Sequence, residues 1–169
     1  MESIKNIVFL GMMGSGKSSI GFLVSKRLRL DFYDIDDCIE KDLGMKISQI
    51  FKEKGEVFFR KIEEKTTLKI LKKNNVIISL GGGAFLNNNI KKIILKNHLS
   101  FWLKWNSETL IKRIKNSKKR PLAVGITELE LLNLIKKRSN VYSKAQYKIN
   151  CNGLSKSEIV KKIIDIYEN

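Results

Sequence analysis

Residues 4–28 read IKNIVFLGMMGSGKSSIGFLVSKRL, and the order of features in this stretch decides the fold. Ile4 to Leu10 is a short, mostly apolar run of a length suited to one buried strand. Gly11 to Ser18 matches G-x-x-x-x-G-K-S/T, a glycine loop that wraps phosphate groups. Ile20, Leu23, Val24 and Leu28 then fall at helical spacing. Strand, loop and helix in this order are what a phosphate loop needs, because its backbone N–H groups must converge on an anion at a helix N-terminus. Gly11, Gly14 and Gly16 permit close approach of the backbone. Lys17 offers a point charge to the β- and γ-phosphates and Ser18 a hydroxyl to Mg2+, with Ser15 and Ser19 in the same nucleotide-binding set. A glycine-rich turn with a chance lysine is the other reading of these residues, and the flanking strand and helix weigh against it.

Outward from this stretch, apolar runs and helical patterns alternate. Strands are expected at Asp31 to Ile35, Val76 to Leu80, Ser100 to Leu103 and Gln146 to Asn150. Helices are expected from about Ile39 to Leu43, from Ile47 to Lys52, from Val57 to Leu71 and from Asn88 to Leu95. Further helices follow at about Ser107 to Ile114, Glu128 to Tyr142 and Ser155 to Tyr167, the last opened by a Ser155/Glu158 capping box. The alternation predicts an α/β chain with a parallel sheet covered on both faces. At 169 residues, without repeats or linkers, it reads as one domain spanning 1–169. Ligands of such sheets bind beyond the carboxyl ends of the strands. The first three strands end in the phosphate loop, in Asp34-Ile35-Asp36-Asp37 and in Gly81-Gly82-Gly83, so all three should line one crevice.

Composition removes other classes. There is one histidine, His98, so histidine triads and multi-histidine metal sites are excluded. Cys38 and Cys151 stand far apart and offer neither a disulfide framework nor metal-ligand spacing. No apolar run approaches membrane-spanning length and no secretory leader is evident, so a cytoplasmic protein without a membrane partner is expected. The net charge is +16, and residues 65–127 hold 14 Lys/Arg against the single acid Glu108. That could be a nucleic-acid footprint or a set of solvated helix faces. Lys, Ile and Asn make up 64 of the 169 residues, and the lysines do not alternate with aromatics. Solvated faces are therefore favoured, with no nucleic-acid partner, although the field would still draw in anionic substrates.

The same bias makes arginine informative. Six arginines stand among 27 lysines, so each suggests a need for a planar, bidentate group. Arg27 and Arg29 close the first helix. Arg60, Arg113, Arg120 and Arg138 need another explanation. Asp34 and Asp36 share a side if the second strand runs through both, which would suit a Mg2+–nucleotide site with a second carboxylate for proton uptake. Asp36 or Asp37 as a simple helix cap is the alternative. The triple glycine is either a flexible strand exit or a row of backbone amides open to an anionic ligand, the second being favoured.

Together these residues resemble the shikimate kinase family over nearly the whole chain. The resemblance runs through the phosphate loop, then Asp34 and Asp36 followed by Ile39-Glu40, then I-x-x-I-F-x-x-x-G-E-x-x-F-R-x-x-E from Ile47 to Glu63. Ser79 to Ala84 (S-L-G-G-G-A) and Arg120-Pro121-Leu122 complete it. It implies a three-layer P-loop kinase whose five-stranded parallel sheet has the order 2-3-1-4-5. It also implies ATP as co-substrate, Mg2+, shikimate as phosphoryl acceptor, and a monomer. In that family pattern Lys17 and Ser18 hold the phosphates and Mg2+, with Asp34 in the second metal shell. Asp36 holds the shikimate hydroxyls and serves as base. Arg60 and Arg138 clamp the carboxylate with help from Gly81, Gly82 and Gly83, Glu63 orients Arg60, Arg113 stacks on adenine, and Arg120 closes over the transferring phosphoryl group.

The resemblance further implies a substrate-binding segment at about 34–63 and a lid at about 116–125. Asn116 to Arg120 has no apolar side chain to bury, and Pro121 biases Arg120 toward extended geometry. Two features depart from the family: Asn140 stands where it often has a proline, and Asn150 to Gly153 lacks its usual arginine or proline beside adenine. Gluconate kinase and nucleoside monophosphate kinases share the fold and are the nearest alternatives, with a basic nucleic-acid-binding NTPase further off.

Overall fold

Val8 and Leu10 face one side of strand β1 (Ile7–Leu10), Ile7 and Phe9 face the other, and all four are shut off from solvent. A strand buried on both faces reads as an unbroken apolar run, and only a sheet with helices on each side provides that setting. The computed structural model describes residues 5–117 and 125–169 and shows this sheet. Its strands are β1, β2 (Asp31–Asp34), β3 (Val76–Ser79), β4 (Leu99–Lys104) and β5 (Tyr147–Asn150). All neighbours pair in parallel, in the order β2-β3-β1-β4-β5, as the family resemblance implied. Val8 aligns with Ile78 and Phe9 with Phe101.

Helices α1 (Lys17–Leu28) and α7 (Lys156–Glu168) cover one face, closing a core around Ile7, Phe9, Ile77, Phe101 and Leu103. Helices α2 (Ile35–Leu43), α3 (Ile47–Leu71), α4 (Asn88–Asn97), α5 (Ser107–Lys115) and α6 (Glu128–Tyr142) build the opposite core around Val8, Leu10, Ile78, Leu80 and Trp102. The expected Ser155/Glu158 capping box is present, and Thr127/Glu130 forms a second one at the start of α6.

Several boundaries differ from the sequence expectation, and at two of them a named residue explains the difference. The two helices expected at Ile47 to Lys52 and Val57 to Leu71 are arms of one run, kinked at Gly55, whose φ of 81° and ψ of 171° are non-helical. β2 stops at Asp34, one residue early, because the Asp34 carboxylate caps α2. β1 starts at Ile7, although the backbone carbonyl of the buried Asn6 still accepts from Leu99 N. Asn6 donates to the carbonyls of Leu71 and Lys73 and accepts from Val76 N, tying the end of α3 to the start of β3. A 3-10 turn at Ala84–Leu86 follows the glycine run.

Candidate active site

The phosphate loop leaves β1 and enters α1 through Gly16, whose φ of 89° lies in the left-handed region where glycine carries no steric penalty. The loop's carbonyls are already engaged. Lys17 Nζ donates to the carbonyls of Gly11 and Met12, both at 2.9 Å. Trp105 Nε1 donates to Ser15 O at 2.8 Å, and Arg113 donates to Gly14 O at 3.2 Å. With the carbonyl side taken, the N–H side is what the loop has left to offer an anion. At Gly11 a side chain would stand 3.0 Å from Ser15 Oγ and 3.1 Å from Leu103 O, so the loop's first residue is glycine for want of room.

Asp34 ends β2 and does two jobs. Its Oδ1 accepts from the backbone N–H groups of Asp36 and Asp37, capping α2, and its Oδ2 accepts from Ser18 Oγ. The condition for Asp34 and Asp36 to share a strand side is not met: β2 ends at Asp34 and Asp36 already lies in the first turn of α2. The cap is Asp34, neither Asp36 nor Asp37, which leaves the Asp36 carboxylate available. Asp36 Oδ1 is shielded from solvent and has no hydrogen-bond partner among the described residues. Burial, then the neighbouring charges of Asp34 and Glu63, push Asp36 up to about 7 against the pull of Lys17. Ser18 and Asp34 meet as hard oxygen donors, a fit for Mg2+, which takes one or two protein oxygens and fills the rest from phosphates and water. No group of three or more His, Cys, Asp or Glu that could hold a metal ion stands among the described residues.

Arg60, on the second arm of α3, is held by two carboxylates of its own helix. It donates to Glu63 Oε2 at 2.7 Å and to Glu56 Oε1 at 3.3 Å. Glu63 is 3% exposed, and burial raises its carboxyl against the lowering effect of Arg60. Arg138, on α6, is also buried, and its Nε has no partner among the described residues. Arg60 thus has two carboxylate partners, whereas no carboxylate among the described residues lies within ion-pair distance of the buried Arg138.

The triple glycine has a steric explanation that the sequence did not reveal. None of Gly81, Gly82 and Gly83 has positive φ. A side chain at Gly81 would collide with the Glu63 carboxylate and stand 3.1 Å from Asp36 Oδ1. At Gly82 it would approach Arg138 Nη1 to 3.3 Å, and at Gly83 it would lie 2.5 Å from Arg60 Nη1. Each glycine makes room for one charged side chain of the site.

The phosphate loop, Asp34, Asp36, Arg60, Glu63, the three glycines and Arg138 line one cleft of about 810 Å³, into which Phe51 and Phe59 also project. Arg113 is not among its lining residues. Its guanidinium lies 3.9 Å from the centre of the Trp105 ring and borders a second hollow formed by Glu108, Thr109, Lys112 and Asn116. Asn152 accepts from Asn106 N at 2.9 Å, so the turn after β5 is tied to the start of α5 by an amide. Arg120 and Pro121 lie outside the described residues. Sequence reasoning missed Trp105, whose one signal was its place just past the carboxyl end of β4, and Tyr142, whose one signal was its position four residues after Arg138. His98 caps the end of α4 and does not line the cleft.

The sequence model of the shikimate kinase family matches residues 13–168. A shikimate kinase from Thermodesulfovibrio yellowstonii is 41% identical over 166 residues, covering 98% of this chain and 96% of the relative. The structure of shikimate kinase from Acinetobacter baumannii in complex with shikimate superposes with a TM-score of 0.90 at 28% identity, covering 98% of this chain and 93% of that one. That of Aquifex aeolicus shikimate kinase gives 0.86 at 36% identity, covering 96% of each chain. The chain belongs to the shikimate kinase family.

Proposed function

We propose that this chain, as a member of that family, transfers the γ-phosphoryl group of ATP to a ring hydroxyl of shikimate, giving shikimate 3-phosphate and ADP. One observation carries the choice of acceptor. Beside the phosphate loop the cleft brings Arg60 together with Arg138, whose buried Nε has no hydrogen-bond partner among the described residues. A carboxylate-bearing polyol gives Arg138 an acceptor, and planar guanidinium groups suit its two oxygens.

In this reading Gly11, Gly14, Ser15, Gly16, Lys17, Ser18 and Ser19 bind the triphosphate. Lys17 brings its ammonium to the β- and γ-phosphate oxygens. Ser18, with Asp34 behind it, holds Mg2+, which neutralises charge on the phosphates. Asp36 accepts the proton of the attacking hydroxyl, and its burial beside Asp34 and Glu63 favours proton uptake. Arg60 and Arg138 bind the substrate carboxylate, with Glu63 holding Arg60 in place and the glycine run keeping the space clear. Arg113, one face on Trp105, offers its other face to the adenine ring. Arg120 is assigned to the transferring phosphoryl group, and 116–125 to a lid, on the family resemblance alone. Segment 34–63 forms the substrate-binding part of a single kinase domain that works as a cytoplasmic monomer without nucleic acid. Free Cys38 and Cys151 suit a reducing compartment, and no helix among the described residues is long and apolar enough to cross a membrane.

Coupled ADP release tests the reading against shikimate, gluconate, nucleoside monophosphates and duplex DNA. The expected result is Mg2+-dependent ATP consumption that requires shikimate. Turnover with gluconate or a nucleoside monophosphate, and none with shikimate, would overturn it.

A further inference from the structure

The two arginines of the clamp are held in different ways. Arg60 has ion pairs with Glu56 and Glu63, whereas no carboxylate among the described residues lies within ion-pair distance of Arg138. Something else must place a buried guanidinium. Tyr142 stands four residues further along α6, on the same helical face. It is 1% exposed, and its hydroxyl donates to the carbonyl of Gly82. The Met12 sulfur lies 3.9 Å from both Tyr142 Oη and Arg138 Nη1, so a residue of the phosphate loop completes the contact. Burial pushes the Tyr142 hydroxyl up to about 12 against the lowering effect of Arg138 beside it, so it keeps its proton and remains a donor. Gly82 is in turn the glycine that leaves room for Arg138 Nη1.

We propose that Tyr142 is a positioning residue for the substrate clamp. By bonding Gly82 O it pins the middle of the glycine run against α6, and so sets where Arg138 stands relative to Arg60 and the phosphate loop. This rests on the carboxylate-clamp reading given above. The hydroxyl touches no substrate in this reading; it acts through Gly82 and Arg138. Its loss leaves a carbonyl short of its donor and frees the run to shift, which a two-point clamp registers as weaker binding of the acid while the triphosphate site stays as it was.

Steady-state kinetics of Tyr142→Phe test this. The KM for shikimate should rise about five- to tenfold, while kcat and the KM for ATP stay within about twofold of wild type. Ile163→Val, in the core cluster on the other face of the sheet, serves as a control for general loosening and should leave the KM for shikimate unchanged. Gly82→Ala should raise the same KM through the opposite side of the joint. The double variant should then rise by less than the product of the single effects, since both loosen one contact. An active wild type with an unchanged KM in Tyr142→Phe overturns the role of Tyr142 alone, as does full multiplication of the two single effects. An equal rise in Ile163→Val also overturns it. A wild type that ignores shikimate overturns the clamp reading and this role together.

Discussion

The phosphate loop and the anion clamp share one cleft but are built on opposite plans. The loop comes from one contiguous stretch, its carbonyls are taken by Lys17, Arg113 and Trp105, and what it offers a ligand is backbone. The clamp gathers side chains from α2, α3, α6 and the exit of β3, and among the described residues it leaves polar atoms of Asp36, Glu63 and Arg138 shut in without partners, where the loop leaves Ser15 Oγ. A backbone site can be complete before its ligand arrives. A charged side-chain site is held in tension by the surrounding fold until a ligand of the right charge enters. Damage to the loop should therefore weaken the nucleotide alone, whereas damage to the clamp should trade affinity or turnover against stability.

The largest effect is expected at Asp36, where the two plans meet. Asp36→Asn should lower kcat by about a thousandfold, the range of a lost general base. The same change should stabilise the fold. The wild-type carboxyl, held up to about 7 when folded against 3.8 as its ordinary value, loses stability as pH rises from about 4 to 7, where the unfolded chain ionises freely. The variant has no such loss, so its advantage grows across that window and levels off above it, at about 1–3 kcal/mol. Thermal unfolding at pH 5 and pH 8 measures the difference. A variant no more stable than wild type at pH 8 would show that the shielded carboxylate carries no strain.

A smaller effect is expected from Arg60→Lys. Lysine keeps the charge but loses the fork, so shikimate affinity should fall by about 1.5–3 kcal/mol, with ATP affinity retained. An equal loss for both substrates would mean that loop and clamp are not separable. An unchanged shikimate KM would remove Arg60 from the clamp. Trp105→Phe should give the smallest effect. It keeps a ring under Arg113 but deletes the donor to Ser15 O, so the KM for ATP should rise about two- to fivefold with shikimate unaffected. If shikimate binding weakens instead, the loop's carbonyl side is tied to the clamp.

Most of the fold was legible because its signals are local. Apolar runs such as Val76 to Ser79, the loop glycines and the Ser155/Glu158 capping box each constrain their own few residues. The boundary at Asp34 was hidden because its carboxylate caps α2 and pulls Ile35 out of the strand, and Asn6 makes contacts more than sixty residues away that no local pattern announces. Gly55 marked the kink in α3, but the neighbouring helical patterns gave no sign that the arms form one continuous run.

By itself the sequence determined the phosphate loop, because a backbone that must take positive φ and receive an anion is written in contiguous Gly, Lys and Ser. It also marked Arg60 and Arg138 as arginines in a chain that favours lysine. Only the tertiary structure decided why the strand exit is Gly81-Gly82-Gly83. Glu63, Arg138 and Arg60 arrive from other elements, and each needs the space of one missing side chain. It also decided that Asp34 caps a helix while Asp36 Oδ1 has no hydrogen-bond partner among the described residues, since which of two neighbouring carboxylates meets a helix N-terminus depends on where the sheet ends. The physical reason is the same in both cases. Backbone conformation is set within a few residues, whereas steric room and the pairing of buried charge exist only once distant segments are packed together.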